Sequence, residues 1–331
     1  MTALARVLIC DFLDECEVEK PILKGVADIT LAQGWTEADI AKFVPAADAI
    51  ILYHDIPKVS EFTFSKADRL IGLVRAGVGY NNVDLDAAGK RGIIVCNVPD
   101  YGTEEVADHA IAMLLALVRQ LRQGDEAIRR KVWDFHTVIE TPRIRGKTLG
   151  LVGCGRIGTA TALRAKAFGL DVVFYDPQVP PGLDKALGIR RVDRLEDLLE
   201  QSLFVSLHCF LDDSTRHMID AKALARMPRG SVLVNTARGG VVDATALVEA
   251  LDSGHLMGAG LDVVEKEPLD DERIRNHPRV ILSPHSAFYS REGFVELRRK
   301  TAEEVRRLLT GEKLRCPVNA EKLIGSRRSS N

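Results

Sequence analysis

The sequence predicts an α/β protein built as two doubly wound domains. Three observations carry that expectation. Apolar runs of four to eight residues recur from end to end with helical patterns between them, the signature of βαβ units and parallel sheets. The length, 331 residues, is about twice that of a typical domain. A strand, a glycine-rich turn and a helix follow one another from Thr148, near the middle of the chain.

The first series of expected strands is Arg6–Asp11, Ala27–Ala32, Asp48–His54, Leu70–Arg75 and Gly92–Asn97. A helix is expected over Thr36–Phe43, where Thr36 can cap and Glu37 suits the positive end of the helix dipole. A long helix starts near Thr103, with Val106, Ala110, Leu114, Leu117, Val118 and Leu121 at spacings of three and four. The second series of strands is Thr148–Val152, Asp171–Asp176, Leu203–His208, Ser231–Asn235, Gly258–Val263 and Val280–Ser283, again with helices between. Arg298–Leu309 is a further amphipathic helix. The first sheet is too small to be complete without it, so the first domain is expected to be discontinuous and closed by the C-terminal helix.

Composition narrows the function. Hydrophobic residues are 46% and charged residues 28%, which excludes a disordered or collagen-like chain. Lys plus Arg number 45 and Asp plus Glu 47, so there is no electrostatic reason to expect nucleic acid or an anionic membrane as partner. The longest apolar run, Ala110–Val118, is far short of the ~20 residues that span a bilayer. The N-terminal stretch reaches Asp11 without a signal-peptide pattern. Six scattered cysteines with no C-x-x-C pair argue for reduced thiols and against a metal site. A cytoplasmic protein is expected.

Gly153-Cys154-Gly155-Arg156-Ile157-Gly158 is a G-x-G-x-x-G. It lies between an expected strand and the helical segment Thr159–Phe168, and a second strand ends at Asp176, 18 positions after Gly158. That context makes it a dinucleotide fingerprint. Gly153 permits the tight turn, Gly155 lets the backbone approach a pyrophosphate, and Gly158 lets helix and strand pack closely. The helix N-terminus offers N–H groups to the phosphates. Asp176 can accept the adenosine-ribose hydroxyls, and the residues after it bring no Arg or Lys, so the expected cofactor is NAD(H) in a Rossmann domain.

Three residues at expected strand ends of the second sheet are chemically complementary. Arg238 follows Ser231–Asn235, Glu267 follows Gly258–Val263, and His285 follows Val280–Ser283. Reduction of a 2-oxo acid needs the carboxylate held, the carbonyl polarised and a proton delivered. An Arg fork serves the first two tasks, a His the third, and a carboxylate beside the His holds its tautomer. Singly, each has an ordinary reading as a surface charge, a turn residue or a loop residue. Together on one nucleotide-binding sheet they point to catalysis.

Asn235–Asp243 (NTARGGVVD), Gly258–Leu269 (GAGLDVVEKEPL) and Ser283–Ser290 (SPHSAFYS) resemble the three signature segments of the D-isomer-specific 2-hydroxyacid dehydrogenases. The cofactor turn, LVRAGVGYNNVD (Leu73–Asp84) and the segment Gly92–Arg119 are similar to that family as well. Glu17–Ala27, Ile51–Ile56, Leu163–Pro177 and Thr301–Gly311 resemble in particular its C-terminal-binding protein group, dehydrogenase-like corepressors. HSAFY (His285–Tyr289) also resembles D-lactate dehydrogenases.

The resemblance implies a Rossmann NAD-binding domain, residues 103–287, inserted in a flavodoxin-like substrate domain made of residues 1–102 and 288–331. It implies that Arg238 binds and polarises the substrate, that His285 is the acid/base and that Glu267 is its partner. Ala76, Gly77, Val78 and Gly79 would present N–H groups to the substrate carboxylate, Val78 also lying near the nicotinamide. His54, Arg75 and Phe288 would line the pocket. Cys209, Thr215, Thr236, Ala237, Arg238, Asp262 and His285 would contact the cofactor together with the Gly153–Gly158 turn, and the helix Thr103–Gln120 would mediate a homodimer. Phe288 stands where the corepressors carry Trp, and Asn81 where many relatives carry Asp. For Arg75, pairing with Asp84 or Asp86 is as good a reading as a substrate contact. His109 and His136 read as surface or interdomain residues, and Cys96, Cys154 and Cys209 as packing residues.

Two functions are therefore expected. The first is an NAD-dependent dehydrogenase interconverting a D-2-hydroxy acid and its 2-oxo acid. The second is an NAD(H)-sensing dimeric scaffold like the corepressors, against which stands the short stretch of about 20 residues after the last expected helix. The substrate side chain stays open: the Phe288–Tyr289 pair suits an apolar group, Arg75 and His54 a second anion.

Overall fold

The computed structural model describes residues 3–53, 56–138 and 141–323. The chain divides into two compact units, one running to Gly102 and resuming at Ser290, the other Thr103–Tyr289.

The first unit holds five parallel strands: β1 (Ala5–Ile9), β2 (Ala27–Leu31), β3 (Ala49–Leu52), β4 (Gly72–Arg75) and β5 (Ile94–Asn97), in the order β2-β1-β3-β4-β5. That is the flavodoxin-like order. Every residue of β3 and β4 is buried, which is why both read as unbroken apolar runs rather than alternating ones. The first strand stops at Ile9, short of the expected Asp11. Asp11 has φ 71° and a buried carboxylate that accepts the N–H groups of Tyr53 and Ile56, at 2.6 and 2.8 Å.

The closing helix is Arg291–Thr310, two turns longer at its start than its apolar spacing suggests. Ser290 caps it, accepting the Gly293 N–H at 2.8 Å. Leu308 packs so closely on β4 that a Cβ at Gly72 would lie 2.5 Å from it. Arg298 is buried and donates to both oxygens of buried Glu19, at 2.8 and 2.7 Å, and to Glu15. Charges so placed persist because each answers the other.

The second unit has seven parallel strands: β6 (Thr148–Val152), β7 (Asp171–Tyr175), β8 (Arg190–Arg191), β9 (Phe204–Leu207), β10 (Ser231–Asn235), β11 (Leu256–Leu261) and β12 (Val280–Leu282). Their order, β12-β11-β10-β9-β6-β7-β8, is that of a Rossmann sheet with one strand added at its edge. The strand not foreseen is β8, two arginines with no apolar pattern to announce it. The helices Thr103–Val118 and Arg156–Ala167 cover one face over Leu149, Leu151, Val172, Phe174, Val232 and Val234. Leu198, Leu224 and Leu247 cover the other over Val205, Leu207, Leu233 and Leu261. Direction reverses between β6 and β9, so the crevice beyond their C-terminal ends is the place for a ligand. Among the described residues, no helix is long and apolar enough to cross a membrane, and no group of His, Cys, Asp and Glu could hold a metal ion.

Candidate active site

The glycine turn occupies that crevice. Gly153 leaves β6 at φ +93°, and a Cβ there would lie 2.7 Å from the carbonyl carbon of His208 at the end of β9. Gly158 faces back onto the turn, where a Cβ would meet the Gly153 oxygen at 2.3 Å. Gly155 opens the helix Arg156–Ala167, and nothing lies within 4 Å of where its side chain would be. Two glycines are thus needed for packing and one leaves room for a phosphate at a helix N-terminus.

Asp176 follows β7. Its carboxylate accepts the Cys154 N–H at 2.8 Å and the Gln178 N–H at 2.9 Å, which ties the acid to the turn. Sequence reasoning missed Arg191 on β8, whose guanidinium donates to the carbonyl oxygens of Asp176 (2.8 Å) and Val179 (3.2 Å). It missed His208 as well. Burial pushes that imidazole down to about 4, so it is neutral near pH 7. Its Nε2 pairs with Ser206 Oγ at 2.9 Å, while Nδ1 is buried without a partner among the described residues. Thr236 Oγ1, beyond β10, is buried and unpartnered in the same sense. The signal for His208 was its place at a strand end facing the first glycine. Burial raises the thiols of Cys154 and Cys209 to about 11 and about 12, so neither is a nucleophile near neutral pH. Thr215 Oγ1 donates to the Phe210 oxygen at 2.8 Å. Room over Gly155, orphan polar atoms on Thr236 and His208, and an acid after β7 fit a dinucleotide.

The second cluster lies beyond β10, β11 and β12. His285 Nδ1 and Glu267 Oε2 are 2.8 Å apart. Partial burial pushes the Glu267 carboxyl up. The His285 hydrogen bond and charge, the Val264 N–H at 3.3 Å and the Arg238 charge outweigh it and hold the carboxyl below its ordinary value. An ionised carboxylate only accepts, so the imidazole presents an Nδ1–H to Glu267. Arg238 sits on a turn held by Asn235, whose side chain accepts the Ala237 N–H at 3.0 Å and donates to the Arg238 oxygen at 2.9 Å. Arg238 Nη1 donates to the Ala237 oxygen at 2.7 Å. A Cβ on Gly239 would stand 1.9 Å from the Val264 carbonyl carbon, so the turn of Arg238 and the segment leading to Glu267 are in backbone contact. Gly239→Ala is expected to cost about 1–3 kcal/mol through overpacking against main chain, and a urea unfolding midpoint equal to wild type would contradict that fit.

Asp262, at the end of β11, is 3% exposed. Its Oδ1 accepts from Ser283 Oγ (2.5 Å) and the Ser286 N–H (2.9 Å), its Oδ2 from the Ala287 N–H (3.1 Å). Phe288 and Tyr289 meet edge to face, centroids 6.4 Å apart, with Tyr289 exposed.

In the first unit, Arg75 is buried and curls over Gly77, donating to the Ala76 oxygen at 2.9 Å. A Cβ at Gly77 would lie 1.8 Å from Arg75 Nη1, and φ there is +146°, so only glycine fits. One expectation needs correction. Ala76 cannot offer its N–H to a substrate, because it donates to the Leu52 oxygen at 2.8 Å as the sheet continues past β4. The N–H groups of Gly77, Val78 and Gly79 have no acceptor among the described residues, and Asn97 steadies their loop by donating to the Val78 oxygen at 2.7 Å. Neither Asp84 nor Asp86 takes up Arg75: Asp84 caps a helix through the Ala87 N–H, and Asp86 pairs with Lys322 at 2.7 Å. His54 lies outside the described residues.

Sheet order, glycine turn and donor set define a Rossmann-type dinucleotide-binding protein. Residues 111–287 match the family model of the D-isomer-specific 2-hydroxyacid dehydrogenase NAD-binding domain. D-3-phosphoglycerate dehydrogenase of Methanocaldococcus jannaschii is 34% identical over 316 residues, covering 96% of this chain and 60% of the relative. A glyoxylate reductase structure from Paecilomyes thermophila superposes with TM-score 0.87 at 31% identity, covering 97% of this chain and 100% of that one. An acyclic imino acid reductase in complex with NADPH and D-Arg superposes with TM-score 0.85 at 27% identity, covering 95% and 99%. The chain belongs to the D-isomer-specific 2-hydroxyacid dehydrogenase family. It spans 60% or less of the length of the curated relatives it matches. The cofactor this site fits is a nicotinamide dinucleotide.

Proposed function

We propose that the protein is an NAD-dependent dehydrogenase interconverting a D-2-hydroxy acid and its 2-oxo acid. The observation that carries this reading is the His285–Glu267 pair at 2.8 Å, with the Arg238 charge acting on the same carboxylate. The bound dinucleotide supplies the hydride donor or acceptor. Arg238 holds the substrate carboxylate and polarises the carbonyl oxygen. His285 Nε2 gives a proton to that oxygen in reduction and takes it back in oxidation. Glu267 keeps the ring oriented and steadies its charged form. In the first unit, the N–H groups of Gly77, Val78 and Gly79, with Arg75 beside them, are of the kind that bind a carboxylate.

NAD(H) is preferred over NADP(H), since the Asp176 carboxylate would meet a 2′-phosphate with like charge and Arg191 is engaged with carbonyl oxygens. A homodimer is supported by exposed apolar side chains gathered in one stretch: Leu121, Ile128, Val132, Trp133 and Phe135. Cys10, Cys16 and Cys154, buried as thiols, suit a reducing, cytoplasmic setting. Closeness to the C-terminal-binding protein group, and with it a scaffold role, rests on the sequence segments alone.

A panel of 2-oxo acids, including glyoxylate, pyruvate and 3-phosphohydroxypyruvate, assayed with NADH and with NADPH, decides the matter. Turnover of at least one acid with NADH, and slower turnover with NADPH, is expected. Tight NADH binding with no turnover on any acid would favour the scaffold.

A further inference from the structure

His285 is held in an unfavourable backbone conformation. Its φ is +53°, a left-handed value that a non-glycine residue keeps only where its surroundings enforce it. Asp262 contributes three hydrogen bonds to that enforcement. The Asp262 main-chain oxygen accepts the His285 N–H at 2.8 Å, and its carboxylate takes the next two N–H groups, Ser286 and Ala287. The orientation of that carboxylate therefore sets the turn that carries the imidazole.

The carboxylate is itself held from outside the turn. Ser283 has a single hydroxyl hydrogen and gives it to Asp262 Oδ1 at 2.5 Å. The Ser283 Oγ itself lies 2.8 Å from Nε2 of His109, on the helix Thr103–Val118. Since the serine hydrogen is spent on the aspartate, Ser283 Oγ must accept here, and His109 must carry its hydrogen on Nε2. His109 Nε2 is also 3.9 Å from Asp262 Oδ1, so its hydrogen bond and any charge it bears act on that carboxylate.

We propose that His109 is a positioning residue for His285. It acts through Ser283 and Asp262, anchoring the strained turn to the helix Thr103–Val118. The role is distinct from those assigned above, and it rests on the reading of His285 as the acid/base. His109 touches none of the reacting groups itself. It fixes where Nε2 of His285 points, a matter of fractions of an ångström on which proton transfer depends.

Three variants test this: His109→Leu, which removes the donor, His109→Gln, whose amide N–H reaches about as far, and Ser283→Ala, which cuts the link. His109→Leu and Ser283→Ala are expected to lower kcat about tenfold or more, with dinucleotide affinity within about twofold of wild type. His109→Gln is expected to restore most of the loss. Protein labelled at the histidine rings is followed by NMR in parallel, and the His285 resonance is expected to move in the leucine and alanine variants and to return with glutamine. Wild-type kcat in His109→Leu overturns the proposal, as does an unmoved His285 resonance. Equal losses in the glutamine and leucine variants, with dinucleotide binding lost in both, would make His109 a packing residue and overturn it too. If wild-type protein turns over no 2-oxo acid, the dehydrogenase reading fails on that result alone, and the NMR arm still decides whether His109 positions His285.

Discussion

His285→Ala is expected to lower turnover by about 10²–10⁴, the range supplied by a positioned acid/base, which corresponds to about 3–5 kcal/mol of activation free energy. Dinucleotide binding should be nearly unchanged, because the glycine turn and Asp176 lie at the ends of β6 and β7, whereas His285 follows β12. The pH profiles carry the sign. Reduction takes up a proton at the substrate oxygen and oxidation releases one, so reduction should weaken and oxidation strengthen as pH rises. Glu267 stays ionised near neutral pH, since its carboxyl is held below the ordinary value. Its pairing therefore stabilises the fold fully above the ordinary carboxylate range, and that contribution is lost only as pH drops through the lowered value. Turnover in His285→Ala within a few-fold of wild type, or identical profiles in the two directions, would remove His285 from the chemistry.

Arg238→Lys should fail nearly as badly. The two residues carry the same charge, but a guanidinium presents a planar fork that pairs with two oxygens at once, and an ammonium is a point charge on a flexible stem. The turn fixes where the fork starts: Asn235 clamps the backbone on both sides and Gly239 seats it against Val264. A loss of about 10²-fold or more in kcat/KM is expected, with the circular dichroism spectrum and melting temperature close to wild type. Kinetics like those of wild type would show that charge alone suffices and that Arg238 is not a two-point clamp.

Much of this was legible in the residues because it is local. The glycine turn is six consecutive positions whose geometry follows from missing side chains, and β3 and β4 declare themselves by unbroken apolar runs. Arg238, Glu267 and His285 could be set side by side because each follows a strand of the same sheet, and strand ends are easier to find than strand partners. What could not be read depends on distant partners or on exact lengths. The Arg298–Glu19 pair joins positions 279 apart. The fate of the Ala76 N–H turns on where β4 stops pairing with β3. His109 read as a surface or interdomain residue because its partners lie beyond the last strand of the sheet, and β8 escaped because two arginines carry no apolar period.

The way the chain is shared between the units has a consequence during synthesis. Thr103–Tyr289 is one continuous stretch, so this unit has every residue it needs before the last helix is made. The other unit must wait. Glu19 is buried there against a guanidinium encoded almost 280 codons later, and β4 is covered by Leu308. Translation at about 5–20 residues per second leaves that early sheet without its cover for many seconds after it emerges. Of the two units, the discontinuous one is thus the later to mature, and its apolar strands stay uncovered in the interval.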